Sequence, residues 1–464
     1  MRGIAPLLAA LVSGVMSGCS QPRPTATADL VLHGATVIDG DGATYGVADV
    51  IVRGELISEV TSTCQHPPGA EVIDLAGRYI LPGFVDMHAH LLEHGRDEDG
   101  SIPPRIDWPL VRRSLRLFVR HGVLTVRDPG SETEAAVTLR RMLEKGSIAG
   151  PRLRTAGRIL NASGFDPEPF QPVSTAEEVR REIQWQHAAG VDFIKIYSSM
   201  PPDLARVAIE EAHALRLPVI GHLQRTPWAE AARMGIDQIA HGASWEPGLL
   251  TEDVRSGYQQ DMFGRVYWLE NLDLEGEEVL RMLDALVRHD VVVDPTLIAY
   301  HTKFFGNDPR WLENPDHALV PAHLVAGWGV GNFTRDWTPE QYIAAQDAWP
   351  EMLALTRKMF EHGVRLVVGT DSPTAWIVPG ASFHDEMTLL RDAGIPEPDV
   401  LRMATSGGAR ALGLDQEIGS VQPGYRADLV VLKSNPLERI ENTRSILMVV
   451  QAGRVVEDDR GDGP

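Results

Sequence analysis

Short apolar runs alternate with longer amphipathic stretches through the middle of the chain. The runs fall at about 83–90, 123–128, 152–157, 192–197, 217–222, 236–241, 291–294 and 365–371, with helical segments between most of them. Ser174-Thr175-Ala176-Glu177 reads as a capping box opening one such helix, the Ser oxygen and the Glu carboxylate each satisfying a free backbone N–H. Strands alternating with helices in this way predict an α/β chain, a (β/α)8 TIM-type barrel. An open doubly wound sheet is the alternative, but its glycine-rich phosphate-binding turn follows none of the strands.

The two ends read differently. Leu30-Val31-Leu32, Thr36-Val37-Ile38, Asp49-Val50-Ile51-Val52 and Leu56 to Val60 are strand runs separated by the breaks Asp39 to Gly42 and Arg53-Gly54-Glu55, a small antiparallel sheet. Asp428 to Leu432, Met448 to Val450 and Arg454 to Val456 repeat the style near the C-terminus. Neither set makes a stable core alone. Residues 30–80 and 415–458 are therefore expected to pair into one discontinuous β-sandwich domain, leaving 81–414 for the barrel. Two connections, 242–275 and 295–364, are too long to be simple loops. The second carries Trp311, Trp328, Trp337 and Trp349, which either contact substrate as part of a lid or pack a helical insertion.

The N-terminus stands outside this pattern. Arg2, the apolar run Ile4 to Met16 and the small residues after it describe a secretory signal over residues 1–18. The run is shorter than the about 20 residues a membrane-spanning helix needs. Met16-Ser17-Gly18-Cys19 resembles a bacterial lipobox, with Met in the place usually held by Leu. The resemblance implies export, a lipid anchor on Cys19 and a location facing the periplasm or cell exterior, with 19–29 as a Pro/Thr-rich tether. Cys64 is then without a partner, and no internal disulfide is expected.

Composition narrows the partners. Of 464 residues, 43 are basic and 64 acidic, a net charge of −21, which argues against nucleic acid or an anionic membrane face. A small-molecule substrate is the expected partner, with membrane contact only through Cys19.

Chemistry concentrates at the ends of the predicted barrel strands. In Phe84-Val85-Asp86-Met87-His88-Ala89-His90 the two histidines share one face of a strand, placed to grip one metal ion. In Phe193-Ile194-Lys195-Ile196-Tyr197 the isoleucines take the helix side, so Lys195 points inward, where an unpaired ammonium is unfavourable. It either forms an ion pair or, as a neutral amine, takes up carbon dioxide as a carbamate, an anionic oxygen ligand. His222, His241 and Asp371 each end a strand run. Barrel enzymes build their sites on that C-terminal rim. Tyr197, Gln224 and Arg225 lie beside these residues as candidate substrate contacts, Arg225 as a clamp for a substrate carboxylate or as a partner of a protein carboxylate.

Ala76 to His90, Gly122 to Asp128 and Gly419 to Val430 together resemble the amidohydrolase superfamily in its binuclear, carboxylated-lysine form, in the branch of imidazolonepropionase-like enzymes and prolidases. The resemblance implies two divalent ions, zinc by donor type. His88, His90 and Asp371 would hold the first, His222 and His241 the second, and carboxylated Lys195 would bridge them. It also implies hydrolysis of an amide or peptide bond of a small substrate, such as a dipeptide or N-acyl amino acid, through a metal-bridging hydroxide, with Asp371 as the catalytic base. Deaminating relatives carry Glu three residues after the fifth-strand His, where this chain has Arg225; some peptidase relatives carry Gly-Gly-His where this chain has Asn161-Ala162-Ser163. A lactonase, esterase or phosphotriesterase on the same centre is the alternative, and a non-catalytic binding protein the remaining one. No GxSxG elbow supports a serine nucleophile.

Overall fold

The computed structural model describes residues 30–62, 66–92, 106–162 and 169–459. The signal, the tether, Cys19, Cys64 and Ser163 lie outside them.

Both chain ends enter one eight-stranded sheet. Leu30–Ile38 pairs antiparallel with Thr44–Arg53, which pairs antiparallel with Leu56–Thr61. The sheet is mixed, because Glu71–Asp74 and Tyr79–Pro82 both add parallel to the first strand. Tyr79–Pro82 also pairs antiparallel with Leu429–Leu432, and Ile446–Gln451 and Arg454–Asp458 complete the sheet. Leu32, Val37, Val50, Ile80, Leu429, Val431 and Val450 are buried together on one face. The two runs Leu30-Val31-Leu32 and Thr36-Val37-Ile38 form a single strand interrupted by a bulge at His33-Gly34, where Gly34 takes φ 75°.

Each of the eight apolar runs in the middle holds a strand, in all but the second shorter than the run itself: Phe84–Asp86, Val123–Asp128, Arg152–Thr155, Ile194–Ile196, Val219–Gly221, Gln238–Ala240, Val292–Asp294 and Arg365–Leu366. All their pairings are parallel. Six of them are buried throughout, which is why they read as continuous runs rather than alternating ones, while Arg152, Arg154 and Arg365 leave the other two partly exposed. Two unforeseen short strands, Ile159–Asn161 and Phe170–Pro172, join this layer ahead of Ile194–Ile196.

The strands form a seven-stranded and a three-stranded parallel sheet. Backbone bonds run between the two on both sides. Met87 N donates to Val368 O at 2.9 Å and His90 N to Ser372 O at 2.6 Å, while Asp192 N donates to Thr155 O at 2.9 Å. Parallel bridges Ala89–Ser372 and Ala156–Phe193 mark the same two places.

Helices pack outside. The capping box lies one residue later than the sequence suggests: Thr175 is the N-cap and Glu178 its N3 partner. The helix begins at Ala176, so Glu178 rather than Glu177 reaches back, and it also accepts from Ser174 N and Oγ, both at 2.8 Å. The 295–364 connection is largely helical, ending in Pro339–His362. Trp311, Trp328 and Trp349 are buried within it, and Trp328 Nε1 donates to Pro373 O at 2.9 Å. They pack the insertion and fasten it to the loop after the last parallel strand. Among the described residues no helix is long and apolar enough to cross a membrane.

Candidate metal centre

Five of the six candidate ligands leave the ends of parallel strands, and Lys195 is the middle residue of Ile194–Ile196. The side chains of His88, His90 and Asp371 present ligand atoms within 4.8 Å of one another. Each His Nε2 lies 3.4 Å from Asp371 Oδ1. His241 links this group to the next: its ring centroid is 5.1 Å from that of His88 and 4.3 Å from that of His222. Lys195 is buried beside them, its Nζ without a hydrogen-bond partner among the described residues.

Three imidazoles are oriented by their second nitrogen. His88 Nδ1 donates to Asp294 Oδ1 at 2.8 Å, and His90 Nδ1 donates to Gly130 O at 3.1 Å. His241 Nδ1 pairs with Thr296 Oγ1 at 2.7 Å. The contacts to Asp294 and Gly130, which can only accept, turn Nε2 of His88 and His90 inward as a lone-pair donor, the usual way a protein fixes a metal-binding tautomer, and Thr296 orients the His241 ring. Burial holds His88, His222 and His241 well below the ordinary histidine range, with the Lys195 charge acting in the same direction. They are neutral at physiological pH, as ligands must be.

The backbone is bent to make these contacts. His241 has φ 73° and Asp371 φ 61°, left-handed values that side chains other than glycine adopt only under constraint. Gly369 is needed for another reason. A Cβ there would lie 2.8 Å from His88 Cβ and 3.2 Å from Asp294 Cβ, so a side chain would force the ligand and its orienting carboxylate apart.

Lys195 and the carboxylates complete the electrostatics. Burial pushes the Lys195 ammonium down to about 7, against an attraction from Asp294. Burial opposes ionisation of Asp371, while the cationic neighbours around it, Lys303 among them, hold its carboxyl below the ordinary range. Burial raises Asp294 to about 6, although Arg127 and Lys195 counter it. Imidazole nitrogens, a carboxylate and an otherwise unpartnered buried lysine are a donor set that suits divalent ions.

Sequence reasoning passed over the groups behind the ligands. Asp294 is buried and accepts from Arg127 Nη2 at 2.6 Å, and Arg127 also bonds Gln238. The signal was present: Asp294 ends the run at 291–294 as Asp371 ends the run at 365–371. The buried Glu386 accepts from Leu297 N at 2.9 Å and Ile298 N at 2.7 Å. It thereby seats the helix Leu297–Phe304, whose Tyr300 ring lies 6.1 Å from His241.

Of the three candidate substrate contacts, Tyr197 lies against a candidate ligand and the other two line a cavity. The Tyr197 ring lies 4.4 Å from that of His222. Gln224 and exposed Arg225 line a cavity of about 410 Å³ with Ser198, Ser199, Trp245 and Tyr258.

The sequence profile of the amidohydrolase family matches residues 79–253 and 334–456. The chain belongs to the amidohydrolase family. It is accordingly an enzyme, an amidohydrolase-type hydrolase. It is 29% identical over 422 residues to a dihydroorotase of Anaeromyxobacter dehalogenans, covering 87% of this chain and 88% of the relative. It is 23% identical over 422 residues to an imidazolonepropionase of Streptomyces griseus, covering 88% and 93%. A crystal structure of a Xaa-Pro dipeptidase with methionine in its active site shares the fold at a TM-score of 0.69 and 20% identity, over 92% of this chain and 99% of that one.

Proposed function

We propose that this enzyme hydrolyses an amide or peptide bond of a small substrate at a binuclear centre held by His88, His90, Lys195, His222, His241 and Asp371. The observation that carries the reading is the buried Lys195, its Nζ without a hydrogen-bond partner among the described residues, in the field of His88, His222, His241 and Asp371. As a carbamate it would become an anionic oxygen ligand, whose charge two ions held by these residues would offset. His88, His90 and Asp371 would hold one ion, and His222 and His241 the other. The strands would close as a (β/α)8 barrel, with the sheet of the two chain ends as a small β-sandwich beside it.

When bound, the ions, zinc by donor type, supply Lewis acidity that polarises a carbonyl and lowers the pKa of water to about 7. The protein does the rest. His88 and His90 are held rigid through Asp294 and Gly130, so Asp371 stands at a fixed place beside them. With its carboxyl held below the ordinary range, Asp371 is ionised and able to accept a proton from the attacking water and pass it to the leaving nitrogen. Gln224 and Arg225 face the cavity, where Arg225 has the fork geometry for a substrate carboxylate. An acyl amino acid or a dipeptide carries both the scissile amide and that carboxylate.

Metal analysis combined with turnover of dipeptides, N-acyl amino acids, lactones and organophosphates tests the reading. Two ions per chain and turnover of amides, abolished in a folded Asp371→Asn variant, are expected. Full activity in that variant refutes the role of Asp371, and turnover confined to lactones or phosphotriesters refutes the bond class. From the lipobox resemblance we also propose that the enzyme is exported and anchored at Cys19, facing the periplasm or cell exterior.

A further inference from the structure

We propose that His33, Asp49 and His66 form a second metal site, in the sheet built from the chain ends, which takes a divalent transition ion in a structural role. The site does not depend on the hydrolytic reading. His33 stands on the bulge of Leu30–Ile38, Asp49 on Thr44–Arg53, and His66 on the segment leading to Glu71–Asp74. Their ligand atoms lie within 4.8 Å of one another.

Proton bookkeeping is the first argument. His33 Nδ1 is 2.8 Å from Asp49 Oδ1, His66 Nε2 is 3.3 Å from Asp49 Oδ2, and the two nitrogens are 3.2 Å apart. If both nitrogens carry protons, two donors face each other. If only His33 does, the His66 lone pair faces the carboxylate. If only His66 does, the His33 lone pair faces the carboxylate at the shortest edge of the triangle. No assignment satisfies all three edges, whereas a cation at the centre satisfies them together.

Size is the second argument. Zinc bonds nitrogen at about 2.0–2.1 Å and carboxylate oxygen at about 2.0–2.2 Å, so neighbouring ligands on a tetrahedron stand about 3.3 Å apart. The two nitrogens stand 3.2 Å apart, close to that spacing, and the carboxylate offers Oδ1 at 2.8 Å from His33 Nδ1 and Oδ2 at 3.3 Å from His66 Nε2. The imidazoles are a third exposed, which leaves the fourth position to water. The third argument is charge. Asp49 is buried, and among the described residues it pairs with these two histidines and with no arginine or lysine. An ion here would staple the segment before Glu71–Asp74 to the bulge and to the neighbouring strand.

The full-length protein, saturated with Co2+ and freed of excess, separates the possibilities by metal count per chain and visible spectrum. The wild type should hold one ion more than His66→Gln and lose a tetrahedral d–d band in that variant, with the hydrolytic rate unchanged. Asp49→Asn should show the same loss of one ion. Zn2+ should raise the melting temperature of the metal-stripped wild type more than that of His66→Gln. Equal metal counts and equal spectra in wild type and both variants overturn the proposal.

Discussion

Acidification should release the helical insertion through His301. The ring is buried and stacked on Phe305 at 4.1 Å with 6° between planes, and Trp349 meets it edge-on at 4.9 Å. Trp311 Nε1 donates to His301 Nδ1 at 3.1 Å, so that nitrogen must stay unprotonated. Burial, helped by the Arg310 charge and opposed by Asp308, lowers its pKa from 6.5 to about 3. The unfolded chain takes up a proton below 6.5 and the folded one does not until about 3. A depressed pKa therefore contributes stability that is present above 6.5 and is lost as the pH falls toward about 3. The loss is about 1.4 kcal/mol per pH unit inside that window, or about 2 kcal/mol between pH 6.5 and 5. His301→Gln keeps an acceptor for Trp311 and removes the titration. Urea unfolding of both proteins at pH 7, 6 and 5 is the assay. The variant starts less stable, because it loses the ring's packing, but the gap should close by about 2 kcal/mol on acidification. Parallel stability curves for the two proteins refute the reasoning.

Other consequences concern the metal centre. Asp294→Ala strands the buried Arg127 guanidinium and removes the acceptor of His88, and should lower stability by about 3–5 kcal/mol in urea unfolding. The isosteric Asp294→Asn should fold and bind metal about 10–100-fold more weakly by competition with a chelator; wild-type affinity would count against an orienting role. Lys195→Ala should lose metal and regain part of its activity with added short carboxylic acids, and retained metal without rescue argues against the carbamate. Arg225→Ala should raise KM for substrates with a carboxylate and leave kcat nearly unchanged; unchanged kinetics would assign Arg225 to a protein partner.

The ligands themselves were legible because each lies on or just beyond an apolar run short enough to be a strand. Asp294 lay in the same position and was overlooked, since nothing local distinguishes a ligand from the carboxylate that orients one. Arg127 was invisible for a different reason: its partner stands 167 positions away. The capping box was misplaced by one residue because Ser174-Thr175 offers two hydroxyls and Glu177-Glu178 two carboxylates, and only the packed start of the helix chooses between them.

The sequence alone determined which residue types stand at the strand ends, because strand length and the period of side chains are local properties. It also carried the family resemblance over nearly the whole chain. The tertiary structure decided what those residues do to one another. Neutral His88, His222 and His241 follow from burial, and hydrogen bonds to Asp294, Gly130 and Thr296 orient the rings of His88, His90 and His241. The depressed lysine follows from a pocket closed by distant segments. So does the triangle of His33, Asp49 and His66, three residues up to 33 positions apart that only the bulged sheet brings together. Electrostatic interaction depends on distance through space and on the loss of water, and neither is written in the order of residues along the chain.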